Sequence, residues 1–381
     1  MTRGGYMPEK KPLVLFLNIP FGIEGKFHPG AFTYIGNNHT KATYLEALQT
    51  ELNVALQEGD FEDARIEAVY IGGGSPNVMG THSLKKLIAW MVEKLPIAPA
   101  AEISIETFPH IAAFPVTNVQ SPRLVNRVNL QVISMQDEEL TSIGAPHSSD
   151  DIRTFILHLR AFKNQTINAN VMYGLPGQSK DSFYATVRSL CRMGCKQITL
   201  IPYQPTGAEL IAVGKNNADL FVSARDFLLD QGFNQHFFNF FCLDGFNKYH
   251  EAIYTGTDVI SFGAGAYACC DGCRYVITSN LKRYVNNADD NEILLEIVID
   301  ESAEDTMERI ITGYLSHAVG LTPVHLTELR SDSALVKITD AYLQDLYESK
   351  LIIGNYQTGF KLTDKGQVNW YDTAREKGLL I

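Results

Sequence analysis

Long apolar runs and excess positive charge are two things that this sequence lacks. No apolar run approaches the roughly 20 residues that a membrane-spanning helix needs, so no span is predicted. The 32 Lys and Arg residues are outnumbered by 43 Asp and Glu residues, and the formal net charge is −11. Broad binding to nucleic acid or to an anionic membrane needs a basic face. The charge therefore argues against both kinds of partner.

Cysteine is also scarce, with six residues spread over a chain of 381. This does not suggest the dense disulfide framework of a small secreted domain. The segment Met1–Tyr6 has no apolar core of a secretion signal. We therefore expect free thiols and a cytoplasmic location. With 45% hydrophobic residues, the chain can bury one core of barrel size and a smaller module.

Short apolar segments alternate with helical patterns through the first half of the chain. Strands are predicted at 13–17, 66–71, 102–106, 125–134, 168–173 and 197–201. Ser179 is a suitable N-cap for the helix that ends near Met193. Strands that alternate with helices at this spacing indicate a parallel sheet. Six such units predict a partial (β/α)6 TIM-like barrel over residues 1–215, whose carboxyl-end loops are where barrels build their sites.

The rest of the chain has a different pattern. Residues 216–294 are predicted to extend the barrel, with one aromatic strand at 236–241 and a Gly-rich strand at 260–267. Residues 295–381 are predicted to form a C-terminal module that is helical from Leu295. This module ends in a helix and a β-wing, which is a winged-helix-like α+β pattern. In an acidic protein the pattern favours structural packing over DNA binding.

Seven short motifs of the sequence occur in the same order as in a known group of proteins. They are Ile19-Pro20-Phe21, Ile71-Gly72-Gly73-Gly74-Ser75-Pro76, Glu102 to Glu106, Val125-Asn126-Arg127, Gly144 with His147-Ser148, Tyr173 to Gln178, and Phe262 to Ala266. On these phrases the chain resembles the radical S-adenosylmethionine (SAM) superfamily, within the group of oxygen-independent coproporphyrinogen III oxidases and haem chaperones. The resemblance implies an α/β fold with a partial TIM-like barrel of the radical-SAM type.

The loop after the first strand departs from that family. In the family, Ile-Pro-Phe is followed at once by three cysteines with C-x₃-C-x₂-C spacing, which hold a 4Fe–4S cluster. Here the three positions are Gly22, Lys26 and Pro29. None of these side chains ligates iron as a thiolate does. The sequence therefore predicts that the 4Fe–4S cluster is absent.

Three further departures fall at positions that face the cofactor in the family. Ile133 stands where relatives have glutamine, Ala145 where they have arginine, and Asn170 where they have aspartate. Each change removes a charge or a polar group from the place where SAM lies in relatives. Together with the cluster loop, these changes predict that the radical chemistry has been abandoned. Their dispersion also argues against a deliberate alteration of the loop alone.

The glycine turn Gly72, Gly73 and Gly74 and the carboxylate Glu106 are candidate remnants of a ligand site. In the family this turn approaches the amino-acid end of SAM, since residues without a Cβ permit close contact. The carboxylate that matches Glu106 contacts the same ligand in relatives. The alternative is that a glycine turn after a strand is only barrel geometry. SAM is therefore one candidate ligand, and the sequence leaves the two interpretations open.

A second candidate ligand site lies at the start of the segment 250–255. Haem-chaperone relatives carry His-Asn-x-x-Tyr-Trp here, and His250 and Tyr254 match its histidine and tyrosine. Imidazole and tyrosinate are both known haem ligands, and the aromatic strand at 236–241 offers a flat apolar wall. Haem is therefore the other candidate cofactor. The alternative is that the aromatic strand is ordinary core.

The remaining cysteines offer one further metal site. Their densest group is Cys269, Cys270 and Cys273. This group contains a C-x₂-C, and Cys242 or His250 is a candidate fourth ligand. Without a second C-x₂-C, the pattern is weak evidence for metal. Cys191 and Cys195 share a predicted outer helix, where they suit packing.

Two functional hypotheses follow from these patterns. The preferred one is a cluster-free relative with a binding or accessory role in haem or tetrapyrrole metabolism, with a small tetrapyrrole or SAM-like ligand and room for a protein partner. The alternative is an active enzyme of the same family, a porphyrin-related oxidoreductase. That enzyme would use SAM without the usual cluster, or would rebuild an iron–sulfur site from other ligands. The sequence assigns no catalytic residue.

Overall fold

A computed structural model of the protein describes residues 10–23, 33–109, 125–160, 166–204, 217–289 and 295–379. The strands in these ranges are β1 Lys11–Ile19, β2 Ala64–Gly73, β3 Ile97–Thr107, β4 Arg127–Ile133, β5 Thr166–Tyr173, β6 Gln197–Pro202, β7 Asn234–Phe237, β8 Phe240–Cys242, β9 Asp258–Phe262, β10 Tyr267–Cys270, β11 Cys273–Ile277, β12 Leu295–Asp300, β13 Ile352–Asn355 and β14 Gly359–Leu362. The helices are α1 Asn38–Glu58, α2 Thr81–Lys94, α3 Asp137–Ser142, α4 Ser149–Arg160, α5 Lys180–Arg192, α6 Asn217–Asp230, α7 Lys248–Tyr254, α8 Leu281–Asp289, α9 Ala303–Ser316, α10 Pro323–Leu329, α11 Ser333–Glu348 and α12 Asp364–Glu376.

Twelve of these strands form one sheet, in the order β12-β11-β10-β9-β1-β2-β3-β4-β5-β6-β8-β7. The first six strands are parallel neighbours in chain order, and β9 adds to β1 in parallel on the other side. Parallel strands of this kind need helical crossovers, which the intervening helices provide. The predicted α/β architecture with a partial TIM-like barrel is therefore confirmed.

The central strands separate two environments by simple alternation. In β4, Val128 and Leu130 lie on one face while Arg127, Asn129 and Gln131 lie on the other, and every one of these residues is buried. Successive side chains of a strand point to opposite faces. The apolar face packs on the helical layer, so the polar face lines the interior of the barrel.

The helices begin where the sequence offers good caps. Ser179 caps α5 through a capping box with Ser182, as predicted for that position. Asn37 caps α1 by accepting a hydrogen bond from the Thr40 N–H. Side-chain caps of this type typically stabilise a helix by about 1 kcal/mol. The first turn and direction of each helix are therefore fixed locally, before packing on the sheet.

The prediction of a single aromatic strand at 236–241 is wrong, because these residues form a hairpin of two strands. β7 and β8 are antiparallel and joined by a turn at Phe238 and Asn239. The turn is stabilised by tertiary contacts: the Leu200 N–H donates to the Asn239 carbonyl, and the Phe238 N–H donates to the Ser316 carbonyl. Neither contact is visible in the local pattern.

The predicted helical start at Leu295 is also wrong. Residues 295–300 form β12, an edge strand paired with β11, and the helix begins only at Ala303 after the N-cap Ser302. Every residue of β12 is exposed. An edge strand with both faces exposed carries no period-2 pattern of burial, and the strand signal that remains is the β-branched run Ile297 to Ile299.

A fully buried tryptophan joins two helices of the C-terminal module. Trp370 of α12 is 0% exposed, and its indole N–H donates to Ser316 of α9 at 2.9 Å. The predicted wing is present as the antiparallel pair β13 and β14. In the ranges that the structure describes, no helix is long and apolar enough to cross a bilayer.

Candidate functional site

A cavity of about 240 Å³ lies inside the barrel, towards the carboxyl ends of the strands. It is lined by alternate residues of neighbouring strands and by parts of three later segments: Phe16, Asn18, Tyr70, Gly73, Glu106, Asn129, Gln131, Asn168, Asn170, Met172, Thr199, Ile201, Asn239, Tyr249, His250, Ile253, Gly265, Tyr371 and Leu379. Ligand pockets for drug-sized molecules occupy about 300–1,000 Å³. The cavity as described therefore accommodates a small polar group and is too small for a flat macrocycle.

One wall of the cavity is a hydrogen-bonded network of amides. The Asn168 Nδ2 donates to Asn170 Oδ1 at 2.7 Å and to Asn129 Oδ1 at 3.3 Å, while the Thr199 hydroxyl donates to Asn168 Oδ1 at 3.1 Å. The Asn129 Nδ2 atom is buried and has no partner in the ranges that the structure describes. A buried polar atom without a partner carries a free-energy cost that a ligand acceptor would relieve.

Sequence reasoning missed most of this network. Asn170 was noted only as a departure from the family, and Asn129, Gln131, Asn168 and Thr199 were not singled out. The available signal was polar residues at every second position within otherwise apolar predicted strands. In a strand with both faces buried, such alternation indicates a polar interior.

The carboxylate Glu106 faces this network from β3. It accepts hydrogen bonds from the Gln131 side chain and from the Gly73 backbone N–H. Burial nevertheless raises the pKa of Glu106 to about 7, although both donors oppose the shift. Glu106 therefore exchanges its proton near neutrality and can present the cavity with either a donor or an anion.

The glycine turn lies beside Glu106, but it is also packed against the chain itself. A Cβ on Gly73 would lie 1.7 Å from Asn18 Oδ1, and one on Gly74 would lie 2.4 Å from the Phe21 carbonyl oxygen. A Cβ on Gly72 would approach Tyr70 and the Glu106 carboxylate. Packing within the barrel thus requires all three glycines. Of the three, only Gly73 lines the cavity.

The opposite wall comes from α7. His250 lines the cavity, and its Nδ1 atom is buried without a partner among the described residues. Burial lowers the pKa of His250 to about 3, and the charge of Arg127 acts in the same direction. The imidazole is therefore neutral at physiological pH. A neutral imidazole accepts a proton or ligates a metal through a nitrogen lone pair.

Arg127 supplies a buried positive charge near this wall. Its Nη1 lies 3.7 Å from Glu102 Oε2, and its guanidinium lies 5.5 Å from the ring centroid of Phe240. The Nη2 atom is buried without a partner in the described ranges. Burial lowers the pKa of Arg127, but an arginine stays charged in proteins. The interior of the barrel thus combines one fixed cation with one carboxyl group of near-neutral pKa.

Tyr254, the other matched residue of the haem-chaperone phrase, is placed differently. It is 1% exposed and packs edge-on against Phe237 at 5.0 Å and against His317 at 6.0 Å between ring centroids. Burial raises the pKa of Tyr254. The hydroxyl therefore remains protonated at neutral pH. The structure places His250 at the cavity and Tyr254 in the core beside it, where His250 lies 5.8 Å away.

The loop after β1, where the family carries its cluster cysteines, is described only in part. The Gly22 N–H donates to the Tyr34 carbonyl at 3.0 Å, while Lys26 and Pro29 lie outside the described residues. Of the other family departures, Asn170 lines the cavity and Ala145 is buried in a turn. Ile133 is fully buried with φ of 65°, a strained conformation for a β-branched residue.

All six cysteines are free and lie at the amino-terminal end of the parallel strands, or in the helices and hairpins next to that end. Cys191 and Cys195 precede β6, and Cys242 pairs with Gln197, the first residue of β6. The other three belong to the β10–β11 hairpin, which contacts Lys11 at the start of β1 through Asp271. The Gly72–Gly74 turn lies at the opposite, carboxyl end. β1 alone spans roughly 26 Å between these ends.

The residues expected to complete a metal site with the hairpin cysteines do not lie near the hairpin. Cys242 lies on β8, and seven strands separate β8 from β10 in the sheet. Its thiol is engaged with the Gly245 carbonyl at 3.1 Å. His250 lines the barrel cavity instead. The expectation that either residue completes a site with Cys269, Cys270 and Cys273 is therefore wrong, because the sheet holds them apart.

No family model matches the chain, but individual proteins do. The heme chaperone HemW of Lactococcus lactis is 23% identical over 369 residues, which cover 94% of this chain and 95% of the relative. The oxygen-independent coproporphyrinogen III oxidase of Salmonella typhimurium is 24% identical over 195 residues, 51% of this chain and 42% of that protein. The solved structure of coproporphyrinogen III oxidase (HemN) from Escherichia coli, a radical SAM enzyme, superposes with a TM-score of 0.78 at 18% identity, covering 97% of this chain and 90% of that one. The chain is therefore a homologue of the HemW heme chaperones and the HemN coproporphyrinogen oxidases of the radical SAM family.

Proposed function

We propose that this protein is a cluster-free member of the group, with a binding or accessory role in haem or tetrapyrrole handling in the cytoplasm. The observation that carries the proposal is the separation of its cysteines from its cavity. None of the six cysteines lines the described cavity, and every thiol lies at the amino-terminal end of the barrel, away from the Gly72–Gly74 turn at the carboxyl end. A 4Fe–4S cluster of the radical-SAM type needs three thiolates at one loop.

The residues present do not fit such a cluster. Gly22, Lys26 and Pro29 offer no thiolate, and a lysine ammonium has no lone pair with which to ligate iron. The β10–β11 cysteines are held at the far end of β1 by the pairing of β10 with β9 and of β9 with β1. A rebuilt cluster at the glycine turn would require a cysteine to cross roughly 26 Å. We therefore derive no radical step for this protein.

A binding role is supported by the polar atoms that the fold leaves without partners. The Asn129 Nδ2, the His250 Nδ1, the Tyr249 hydroxyl and the Arg127 Nη2 are all buried and unpartnered in the described ranges. Asn129, Tyr249 and His250 line the cavity. Such a surface complements a small group with several acceptors, such as a carboxylate. Both candidate ligands, SAM and a tetrapyrrole with propionate arms, carry carboxylates.

The tetrapyrrole is the preferred ligand because the relative that matches over nearly its full length is a heme chaperone. The described cavity admits a polar arm of such a ligand and not its ring. The ring would then lie outside the cavity, and His250 would contact the part that enters. SAM remains the second candidate, because Gly73 and Glu106 line the same cavity.

An iron and sulfide assay tests the cluster-free proposal. After anaerobic reconstitution, the protein should contain no stoichiometric iron or sulfide and show no iron–sulfur absorption band. The matched control is the triple variant Gly22→Cys, Lys26→Cys, Pro29→Cys, which restores the family spacing and reports whether reconstitution works. Stoichiometric iron and sulfide in the unaltered protein would refute the proposal.

A haemin titration tests the ligand. We expect a shift of the Soret band whose titration midpoint moves to a higher haemin concentration in His250→Ala and stays unchanged in His82→Ala, because His82 is an exposed residue of α2. An unchanged midpoint in His250→Ala would place the haem elsewhere. Calorimetry with SAM is the parallel arm, and heat with SAM but not with haemin would favour the second candidate.

A further inference from the structure

The β10–β11 hairpin carries three cysteines that the proposed function does not use, and two of them flank its turn. Its two-residue turn is Asp271-Gly272, and both residues have positive φ, 51° and 76°. This is the geometry of a type I′ turn, for which Asp-Gly is a favoured sequence. The turn fixes the register of the hairpin, and with it the relative position of the flanking residues.

The register places Cys270 directly opposite Cys273. Residues that face each other across antiparallel strands have Cα atoms about 4.5–5.5 Å apart and side chains on the same face. A disulfide requires about 4.4–6.8 Å between Cα atoms. Both side chains are partly exposed, whereas Cys269 is buried on the other face of the hairpin. The backbone is therefore already in place for a bond between Cys270 and Cys273.

A metal site is the alternative use of this group. Ligand atoms of Asp258, Cys270 and Asp271 lie within 4.8 Å of one another. However, the Lys11 ammonium already lies 2.5 Å from both carboxylates. A metal ion would have to displace this ion pair, whereas a disulfide needs only that the Cys273 side chain, whose Sγ lies 3.1 Å from the Asp300 Oδ1, rotate towards Cys270. The hairpin is thus better suited to redox chemistry between its two thiols than to a metal.

We propose that Cys270 and Cys273 form a reversible dithiol–disulfide pair that responds to peroxide-type oxidants. One thiolate attacks the peroxide, becomes a sulfenic acid and releases water. The second thiol attacks the sulfenic sulfur, forms the S–S bond and releases a second water. The peroxide gains the two electrons that the thiols lose, and both thiol protons end in water.

The surroundings set how readily this pair reacts. Burial, with Asp258 and Asp271, raises the pKa of the Cys270 thiol to about 12. The hydrogen bond to Asp300 raises the pKa of Cys273. Because the thiolate is the reactive form, oxidation is slow at neutral pH and accelerates as the pH rises. The pair is therefore restrained by its carboxylates and would stay reduced under ordinary conditions.

Thiol counting after peroxide treatment tests the proposal. In denaturant, the titre should fall from the six thiols of the sequence to four, and dithiothreitol should restore it. Peptide mapping without reduction should recover the Cys270–Cys273 link. Cys273→Ser should abolish that link, while Cys191→Ser, a partly buried helical cysteine, should leave it unchanged. An unchanged titre of six, or a disulfide that joins other cysteines, would overturn the proposal.

The variant Asp271→Asn tests the electrostatic part. Asn-Gly suits the same type I′ turn, so the hairpin is retained while one carboxylate is removed. We expect the pair to oxidise several-fold faster at pH 7.5. An equal or slower rate would mean that the carboxylates do not restrain the thiols.

Discussion

Two regions of this barrel differ in how their polar groups are satisfied. At the β10–β11 end of β1, charges and thiols are paired with one another, as with Lys11 between Asp258 and Asp271 and Cys273 against Asp300. In the cavity, buried polar atoms of Asn129, Tyr249 and His250 have no partner in the ranges that the structure describes. Unpaired buried groups are costly, and the three that line the cavity mark it as the place for a ligand.

The comparison also separates what the family fold requires from what its chemistry requires. Gly73, Glu106 and His250 line the cavity, while none of the six thiols does. Under the proposed function, the fold keeps a ligand site without the thiolates of a cluster. If this is correct, changes around the cavity should alter ligand binding, and changes at the β10–β11 end of β1 should not.

The largest effect should come from breaking the turn at the carboxyl end. Gly74→Ala would place a Cβ 2.4 Å from the Phe21 carbonyl oxygen. Because both groups belong to the backbone or are fixed to it, the clash is relieved only if the backbone shifts. We expect the free energy of unfolding to fall by about 3 kcal/mol and ligand affinity to fall with it. Urea denaturation measures the first quantity and calorimetry the second.

The matched control is Gly59→Ala at the C-cap of α1, where φ is 87° and ψ is 11° and a Cβ would meet nothing closer than 3.6 Å. The left-handed conformation alone should cost about 1 kcal/mol. Equal losses for the two variants would show that close packing of the turn is unimportant.

The next effect concerns Glu51 of α1, a buried carboxylate beside the glycine segment that follows β9. It accepts hydrogen bonds from the Gly263 N–H at 2.9 Å and the Tyr284 hydroxyl at 2.6 Å, and burial raises its pKa to about 7. Its folded pKa exceeds the unfolded value, so its contribution to stability is complete below about pH 4.5 and is lost as the pH rises through 7.

Glu51→Gln should therefore gain stability relative to the unaltered protein between pH 5 and 8, by about 2–3 kcal/mol. Denaturation at several pH values measures this difference. Glu46→Gln, on the exposed face of the same helix, should show no such trend. A pH-independent difference for Glu51→Gln would mean that this carboxyl group does not titrate in this range.

The smallest effect should come from the amino-terminal end. Lys11→Met removes two ion pairs whose lysine side chain is 52% exposed, and exposed pairs contribute about 0–1 kcal/mol. We expect a loss of less than 1 kcal/mol and unchanged haemin or SAM titrations, with Lys86→Met as an exposed control. Altered ligand affinity in Lys11→Met would show that ligand binding in the cavity depends on the β10–β11 end of β1.

Much of the fold was predictable because its signals are local. Short apolar strands, the cap at Ser179 and the turn residues of the wing depend on neighbours in sequence. The hairpin at Phe238 and Asn239 and the edge strand from Leu295 were not predictable in the same way. The first depends on contacts with Leu200 and Ser316, and the second is defined by its pairing with β11.

The candidate site was only partly predictable for a related reason. Glu106 and His250 stood in recognisable phrases, and both line the cavity. Asn129 and Asn168 belong to no recognisable motif. The only sequence signal for their place in the cavity is the alternation of polar and apolar residues along their strands. Tyr254 does not line the cavity because its ring packs against Phe237 and His317. No sequence motif encodes this packing.

The contact of α12 with the cavity has a consequence for synthesis. Phe16 of β1 and Tyr371 and Leu379 at the far end of the described chain line the same space. During translation, domains fold progressively from the N-terminus as the chain emerges. The ribosome must therefore release residue 379 before the cavity has all its walls. A nascent or prematurely terminated chain would present an open barrel with its polar interior exposed, so only chains that extend past this helix would bind ligand selectively.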